Sequence, residues 1–311
     1  MDVCSMIVID RWINRYRSKI ISTELKRIGK MPKLEFSLLG PFLNCTASFN
    51  QDEHCGIDVD ATCGMSRSSE IALSKALVEF VERMAVREHV GAKGMGNKTS
   101  DGFAAYPRIL SLNFKKNARE NALNEAIERY SWMRWWQDSK IGFRIFEAPD
   151  SISSDLQRNS FVQSDCMIER IFVVEPHIEG AKGSLKILIA KLAGRGYVTG
   201  GAFHQSHQIV MDRALGELMR HYIGYVQLLR VNREVKNLDW YNGRLEYFAS
   251  GEGNFLVENR LSIGSPAEIV LPPRYFDKEI NHRLSDSVYV HRCLFENQQE
   301  FLDHRKDIFC L

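Results

Sequence analysis

One eight-residue pattern, A-L-x-E-x-x-E-R, occurs twice in this 311-residue chain and constrains its fold more than any other feature. Ala76-Leu77-Val78-Glu79-Phe80-Val81-Glu82-Arg83 returns as Ala122-Leu123-Asn124-Glu125-Ala126-Ile127-Glu128-Arg129. A weaker third copy follows as Ala214-Leu215-Gly216-Glu217-Leu218-Met219-Arg220. Glutamates three residues apart share one helix face, with β-carbons about 5–6 Å apart. Leu73, Ala76, Leu77, Phe80 and Met84 give the first copy an apolar flank, and Leu123, Ala126, Ile127 and Tyr130 the second. Both are expected as amphipathic helices. A single E-x-x-E-R is an ordinary solvated face, but two copies in matching apolar frames are not, because solvent places no demand on the match. If the helices lie side by side, Glu79, Glu82, Glu125 and Glu128 converge. Such carboxylates repel one another, and a hard cation such as Mg²⁺ relieves them. Mg²⁺ held by carboxylates and phosphate oxygens is a common way to bind a nucleoside triphosphate. The copies are spaced too irregularly for a solenoid.

The remaining patterning predicts a single mixed α+β domain, residues 31–311, preceded by an N-terminal helical appendage over residues 1–30. Residues 10–29 read as a helix, and 34–49 as one or two strands around Gly40-Pro41. The first long helix covers 66–89, with Ser68 or Ser69 as N-cap and Glu70 in its first turn; the second covers 113–136. Apolar runs at 167–175 and 185–192 predict buried strands, and Gly200-Gly201 is expected to open a third helix over 208–229. Residues 246–257 read as a hairpin, Pro272-Pro273 as a turn and 287–295 as the last strand.

Composition narrows the function classes. A net charge of +2 argues against a protein that holds nucleic acid by bulk electrostatics. No window approaches the roughly 18 consecutive apolar residues of a membrane span. The seven cysteines (positions 4, 45, 55, 63, 166, 293 and 310) are odd in number and never spaced C-x-x-C. That spacing speaks against a disulfide framework or structural zinc and predicts a reducing, cytoplasmic location. The apolar Met6-Ile7-Val8-Ile9 is too short for a secretory segment.

The order Gly64-x-Ser66, Ala72, Ala76-Leu77-x-Glu79-x-x-Glu82-Arg83, then Ser100-Asp101-Gly102-x-Ala104-Ala105, then Ala122-Leu123-x-Glu125-x-x-Glu128-Arg129, resembles the YcaO family. Gly200-Gly201-Ala202 and Ala214-Leu215-x-Glu217 look like that family's later glycine-led helix, so the likeness runs from about residue 22 to 230. It implies a YcaO-type domain with an ATP and Mg²⁺ site between the two E-x-x-E-R helices. YcaO proteins activate a peptide backbone amide, and several make thiazoline and oxazoline rings, thioamides or amidines in ribosomally made peptides. The resemblance implies that Glu79, Glu82, Glu125 and Glu128 hold Mg²⁺, with Asp101 and Asn121 at neighbouring nucleotide positions. Ser74 and Lys75 stand where the family carries a serine, and Arg17 and Ser22 lie near its N-terminal phosphate contacts. In the implied chemistry a substrate Cys, Ser or Thr side chain adds to the amide carbonyl. The resulting oxyanion then attacks the γ-phosphate, and phosphate departs. No catalytic side chain is assigned.

Departures from the family pattern keep alternatives open. Lys75 replaces a hydroxyl contact with a phosphate contact or blocks the site; the usual S-N-G is Ser100-Asp101-Gly102, a glycine is replaced by Tyr106, and a glutamine by Asn121. The proline-rich tail of many azoline-forming members has no counterpart in Asp307-Ile308-Phe309-Cys310-Leu311. The expected function is ATP- and Mg-dependent amide activation by an azoline-forming, cyclodehydratase-like subunit acting on a precursor peptide. The alternatives are a catalytically degenerate YcaO-like scaffold subunit and a nucleotide-dependent enzyme acting on something other than peptide. About 30 residues precede the family-like region, too few for an independent core, so a leader-peptide-binding partner protein is expected. A homo-oligomer stays open. Among smaller signals, His204 and His207 read as polar capping, and His54-Cys55 with Cys45 and Cys63 as loop or buried thiols. Trp132, Trp135 and Trp136 read as core packing or a contact surface, and Lys115, Lys116 and Arg119 as a solvated basic turn or a phosphate or partner contact.

Overall fold

The computed structural model describes residues 3–39, 42–48, 61–93, 102–108, 114–148, 166–231, 240–263, 267–296 and 305–309. The chain packs as two compact units, Met1–Leu123 with Arg274–Leu294, and Asn124–Pro273 with Phe295–Leu311. Helices and antiparallel sheets are mixed in both, the α+β class expected from the sequence.

In the first unit, helix α1 (Val3–Arg27) leads into the antiparallel meander β1 (Lys33–Leu39), β2 (Phe42–Ser48) and β3 (Ala61–Ser66), followed by α2 (Ser69–Lys93). A second sheet places β10 (Val288–Phe295) between β4 (Phe103–Pro107) and β9 (Arg274–Glu279). Helix α2 turns Ala72, Ala76, Leu77, Phe80, Val81 and Met84 inward at helical spacing, against Cys45 and Ala47 of β2, Phe103 and Ala105 of β4, and Val288 and Val290 of β10. Helix α1, which spans most of residues 1–30, contributes the fully buried Ile21 and Leu25 to this same core. The meander lies close on α2 because β3 carries Gly64. A β-carbon there would sit 2.1 Å from the Ala72 carbonyl oxygen.

In the second unit, β5 (Phe143–Glu147), β6 (Ile168–Pro176), β7 (Ser184–Leu192) and β8 (Tyr197–His204) form one antiparallel sheet in chain order, followed by α4 (His207–Val231). Helix α3 (Phe114–Gln137) reaches this unit from Asn124 onward. Strand β7 is buried from Leu185 to Ala190, as its unbroken apolar run predicts. Gly200 and Gly201 do not open the third helix. They lie inside β8, and α4 starts at His207. Successive strand residues face opposite sides, so Gly200 admits the backbone of α4 on one face and Gly201 admits the Trp132 ring of α3 on the other.

Residues 246–257 are likewise no hairpin. They span α5 (Trp240–Ser250) and α6 (Asn254–Ser262). Leu245, Phe248 and Ala249 are buried at spacings of three and four, the mark of a helix rather than of alternation, and Gly251 at φ 107° makes the turn. Trp132 and Trp135 are fully buried, and Trp136 packs on Phe248 and Phe309 with its indole N–H donated to the Asp307 carbonyl 2.8 Å away. The tryptophan run is core, not a contact surface. No helix among the described residues is long and apolar enough to cross a membrane.

Candidate functional site

Both E-x-x-E-R motifs lie mid-helix, the first on α2 and the second on α3, and in both the second glutamate is turned onto a strand amide. The Ala105 N–H of β4 donates to Glu82 Oε1 at 2.7 Å, and the Phe203 N–H of β8 donates to Glu128 Oε2 at 3.0 Å. Glu79 accepts from the Cys63 N–H of β3 at 3.2 Å and pairs with Arg83 at 3.3 Å. Arg129 Nε lies 3.8 Å from Glu128 Oε1, and Glu125 is half-buried. Burial pushes the Glu82 carboxyl up to about 8, against the Ala105 amide that favours its charge, and the neighbouring Glu79 adds to the rise. Burial also raises Glu128, opposed by Arg129 and the Phe203 amide and reinforced by Glu217. The third copy resolves this like-charge problem internally. Arg220 stands where the other copies have their second glutamate and pairs with Glu217. A partly desolvated carboxylate raised beside a second one is a donor set that suits a hard divalent cation. Among the described residues, however, no group of three or more His, Cys, Asp or Glu side chains is gathered to hold a metal. Each motif offers a pair of carboxylates, and each second glutamate gives one oxygen to a strand amide.

The expected nucleotide residues divide. Arg17 donates to the Ala105 carbonyl at 3.4 Å and to Asn14 at 3.3 Å, and its guanidinium lies 4.2 Å from the centre of the Tyr106 ring. Asn121 donates to the Tyr106 hydroxyl. Arg17, Glu82 and Asn121 are thus brought together around Ala105 and Tyr106. Ser22 is half-buried farther along α1. Ser74 is fully buried with its hydroxyl unpartnered among the described residues. Lys75 is exposed and donates to the Met65 carbonyl at 3.0 Å. Asp101, His54, Cys55 and Cys310 lie outside the described residues. Nothing in sequence spacing marks the bond from Ala105 to Glu82 or from Phe203 to Glu128, since the partners are 23 and 75 residues apart.

No protein-family model matches the chain, and no curated protein does. Among solved structures, YcaO from Methanopyrus kandleri bound with AMPPCP and Mg²⁺ is similar at a TM-score of 0.57 and 15% identity, over 90% of this chain and 89% of that one. The chain has the YcaO fold. The E. coli microcin synthetase McbBCD complex agrees, at a TM-score of 0.54 and 14% identity over 84% of this chain and 87% of that one. So does that complex with pro-MccB17 bound, at 0.57 and 12% over 85% and 87%. On this YcaO fold the smaller signals find plain roles. His204 Nδ1 accepts the Ser206 N–H at 2.9 Å, a cap at the start of α4. Lys115 pairs with Glu279 at 3.2 Å and Lys116 with Glu120 at 3.5 Å, while Arg119 forks onto Asp277, which also takes Arg274 and His291. The basic turn therefore meets acids of this chain. Cys45, Cys63, Cys166 and Cys293 are free thiols.

Proposed function

We propose that this chain binds ATP with Mg²⁺ and activates backbone amides of a ribosomally made peptide, as an azoline-forming, cyclodehydratase-like subunit that works with a peptide-binding partner protein. The observation that carries this reading is the pair of E-x-x-E-R helices, each with a half-buried second glutamate held by a strand amide and with its carboxyl raised. The AMPPCP and Mg²⁺ on the Methanopyrus kandleri protein support it, as does pro-MccB17 on the microcin synthetase. Glu79, Glu82, Glu125 and Glu128 would hold Mg²⁺, and Arg17 and Asn121 would face the nucleotide. When bound, Mg²⁺–ATP supplies charge neutralisation and a phosphoryl group that turns an amide oxygen into a leaving group. The strand amides of Ala105 and Phe203 fix the second glutamates, so that the carboxyl oxygens the amides do not bind stay in place without solvent reorganisation. Isothermal titration is expected to show ATP binding that requires Mg²⁺ and weakens about a hundredfold, ~2.7 kcal/mol, in Glu79→Gln or Glu128→Gln. Unchanged affinity in both variants would remove the site assignment.

The raised Glu82 carboxyl also sets a pH dependence. Its value in the fold, about 8, exceeds the ordinary 4.5, so the folded chain keeps a proton that the unfolded chain releases. The contribution to stability is complete below the unfolded value and is lost as pH rises toward 8. The metal-free chain is expected to melt at a higher temperature at pH 5 than at pH 8. Glu82→Gln, which keeps an acceptor for the Ala105 amide, should remove that part of the slope; an unaltered slope would show that the carboxyl titrates normally.

A second reading, a YcaO-fold scaffold subunit without turnover, draws on Tyr106, which engages both Arg17 and Asn121. Mass spectrometry of a precursor peptide incubated with the chain, its partner, ATP and Mg²⁺ separates the two. Loss of water supports the enzyme, and an unchanged mass supports the scaffold.

A further inference from the structure

The basicity of this protein is concentrated on α1. Helix α1 carries six lysines and arginines against Asp10 and Glu24, a net +4 in a chain whose total is +2, so the other residues together are net acidic. Several of these cations are already engaged. Arg27 pairs with Glu24 at 2.8 Å, Arg17 is turned inward onto Ala105, and Arg11 lies beside Glu70. Arg15, Lys19 and Lys26 are exposed and have no partner among the described residues. Trp12 and Tyr16, one turn apart, are 62% and 41% exposed, and their rings stack with centroids 5.8 Å apart and planes within 3°.

These side chains form one line. Trp12, Tyr16, Lys19, Thr23 and Lys26 follow spacings of four, three, four and three, the seam that one helix presents to another at a shallow crossing angle. The line spans about 21 Å of helix. The opposite face is fixed, with Ile21 and Leu25 fully buried and Asn14 and Ser18 nearly so, so the seam is held rigid before any partner arrives.

We propose that this seam docks an acidic amphipathic helix of a partner protein, whose apolar residues cover Trp12 and Tyr16 and whose carboxylates face Arg15, Lys19 and Lys26. Charge complementarity requires an anionic occupant, because the seam itself carries no acid and the nearby Glu24 is already paired with Arg27. The spacing selects a helix over a nucleic acid. A phosphate backbone presents charges every few ångströms and rewards a dense cationic track, whereas Arg15, Lys19 and Lys26 are about 6 and 10 Å apart along the axis and two of the five seam residues are aromatic. A membrane-surface helix needs a broad apolar face, and this one offers two residues. The surface lies on α1 and asks nothing of nucleotide chemistry, so its failure and that of the ATP site are separate results.

The test uses the full chain and a fluorescein-labelled synthetic helix of about 20 residues, with Leu at the first two and Glu at the next three positions of the four-three pattern. A composition-matched scramble, a single-stranded RNA and phosphatidylserine vesicles are run beside it. The patterned helix is expected to bind at least about tenfold more tightly than the scramble, and less tightly as salt is raised. Trp12→Ala, and separately Lys19→Glu with Lys26→Glu, are each expected to lose about tenfold while circular dichroism stays that of the parent, as befits exposed positions. Equal binding of both peptides overturns the proposal, as does retention of affinity in both variants. Preferential binding of RNA or vesicles through the same residues overturns it in favour of that partner.

Discussion

Gly200→Ala is expected to unfold the second unit or cost it at least about 3 kcal/mol, beyond the usual range for one added methyl group. The new β-carbon would lie 2.0 Å from the Leu218 nitrogen and 2.7 Å from the Ala214 oxygen. Both are backbone atoms of α4, so the clash cannot be relieved by a rotamer change and the whole helix must move off the sheet. Moving it uncovers Leu188 and Ala190 of β7, which share the Gly200 face and are among the most completely buried residues of the chain. Gly216→Ala is the control. It lies on the same helix with nothing within 4 Å of its β-carbon, and should be neutral or stabilising by up to about 1 kcal/mol. Gly64→Ala should reproduce the damage in the first unit, where the β-carbon meets the Ala72 oxygen at 2.1 Å. Urea denaturation followed by circular dichroism measures all three, and a Gly200→Ala variant within about 1 kcal/mol of the parent would show that α4 does not sit against β8 as described.

Arg260→Met is expected to be the next most damaging change, at about 3–4 kcal/mol. Arg260 on α6 is 4% exposed, and among the described residues its hydrogen bonds go to carbonyls. Its guanidinium donates instead to the carbonyls of Trp135 and Ile141 and lies 4.8 and 4.9 Å from the ring centres of Trp135 and Phe143. Trp135 belongs to the last turn of α3, whose carbonyls have no partner within the helix, so the arginine acts as a cap supplied from a distant element. Burial pulls its pKa down to about 10, with Asp138 opposing, so it remains charged near neutrality. Methionine fills similar space but leaves two buried carbonyls without donors, at about 1–3 kcal/mol each, and removes the stacking over both rings. Arg260→Lys, which places a single ammonium where a fork is needed, should recover only part of the loss. Full stability of the methionine variant would mean that desolvating the guanidinium outweighs what its bonds contribute.

The sequence by itself determined the long helices, the buried strands, the α+β class and the matching glutamate pairs. Helical and strand burial repeat over a few residues, so Leu77, Phe80 and Val81, or the run in β7, announce their element locally. The motifs and their glycines also carried the resemblance that the fold bears out. Only the tertiary structure decided what each glutamate touches, since Glu82 finds Ala105 and Glu128 finds Phe203 across separations that no local period encodes. It also decided that Gly200 and Gly201 are strand residues: absence of a side chain reads as a turn in one dimension, and as room for a helix on each face in three. Tyr106 drew notice only as a departure; that it gathers Arg17 and Asn121 became visible once α1, β4 and α3 were folded around it. Local pattern fixes which face of an element is apolar, but the partner that covers that face is chosen by packing among distant segments, and hydrogen-bond demand settles the rest.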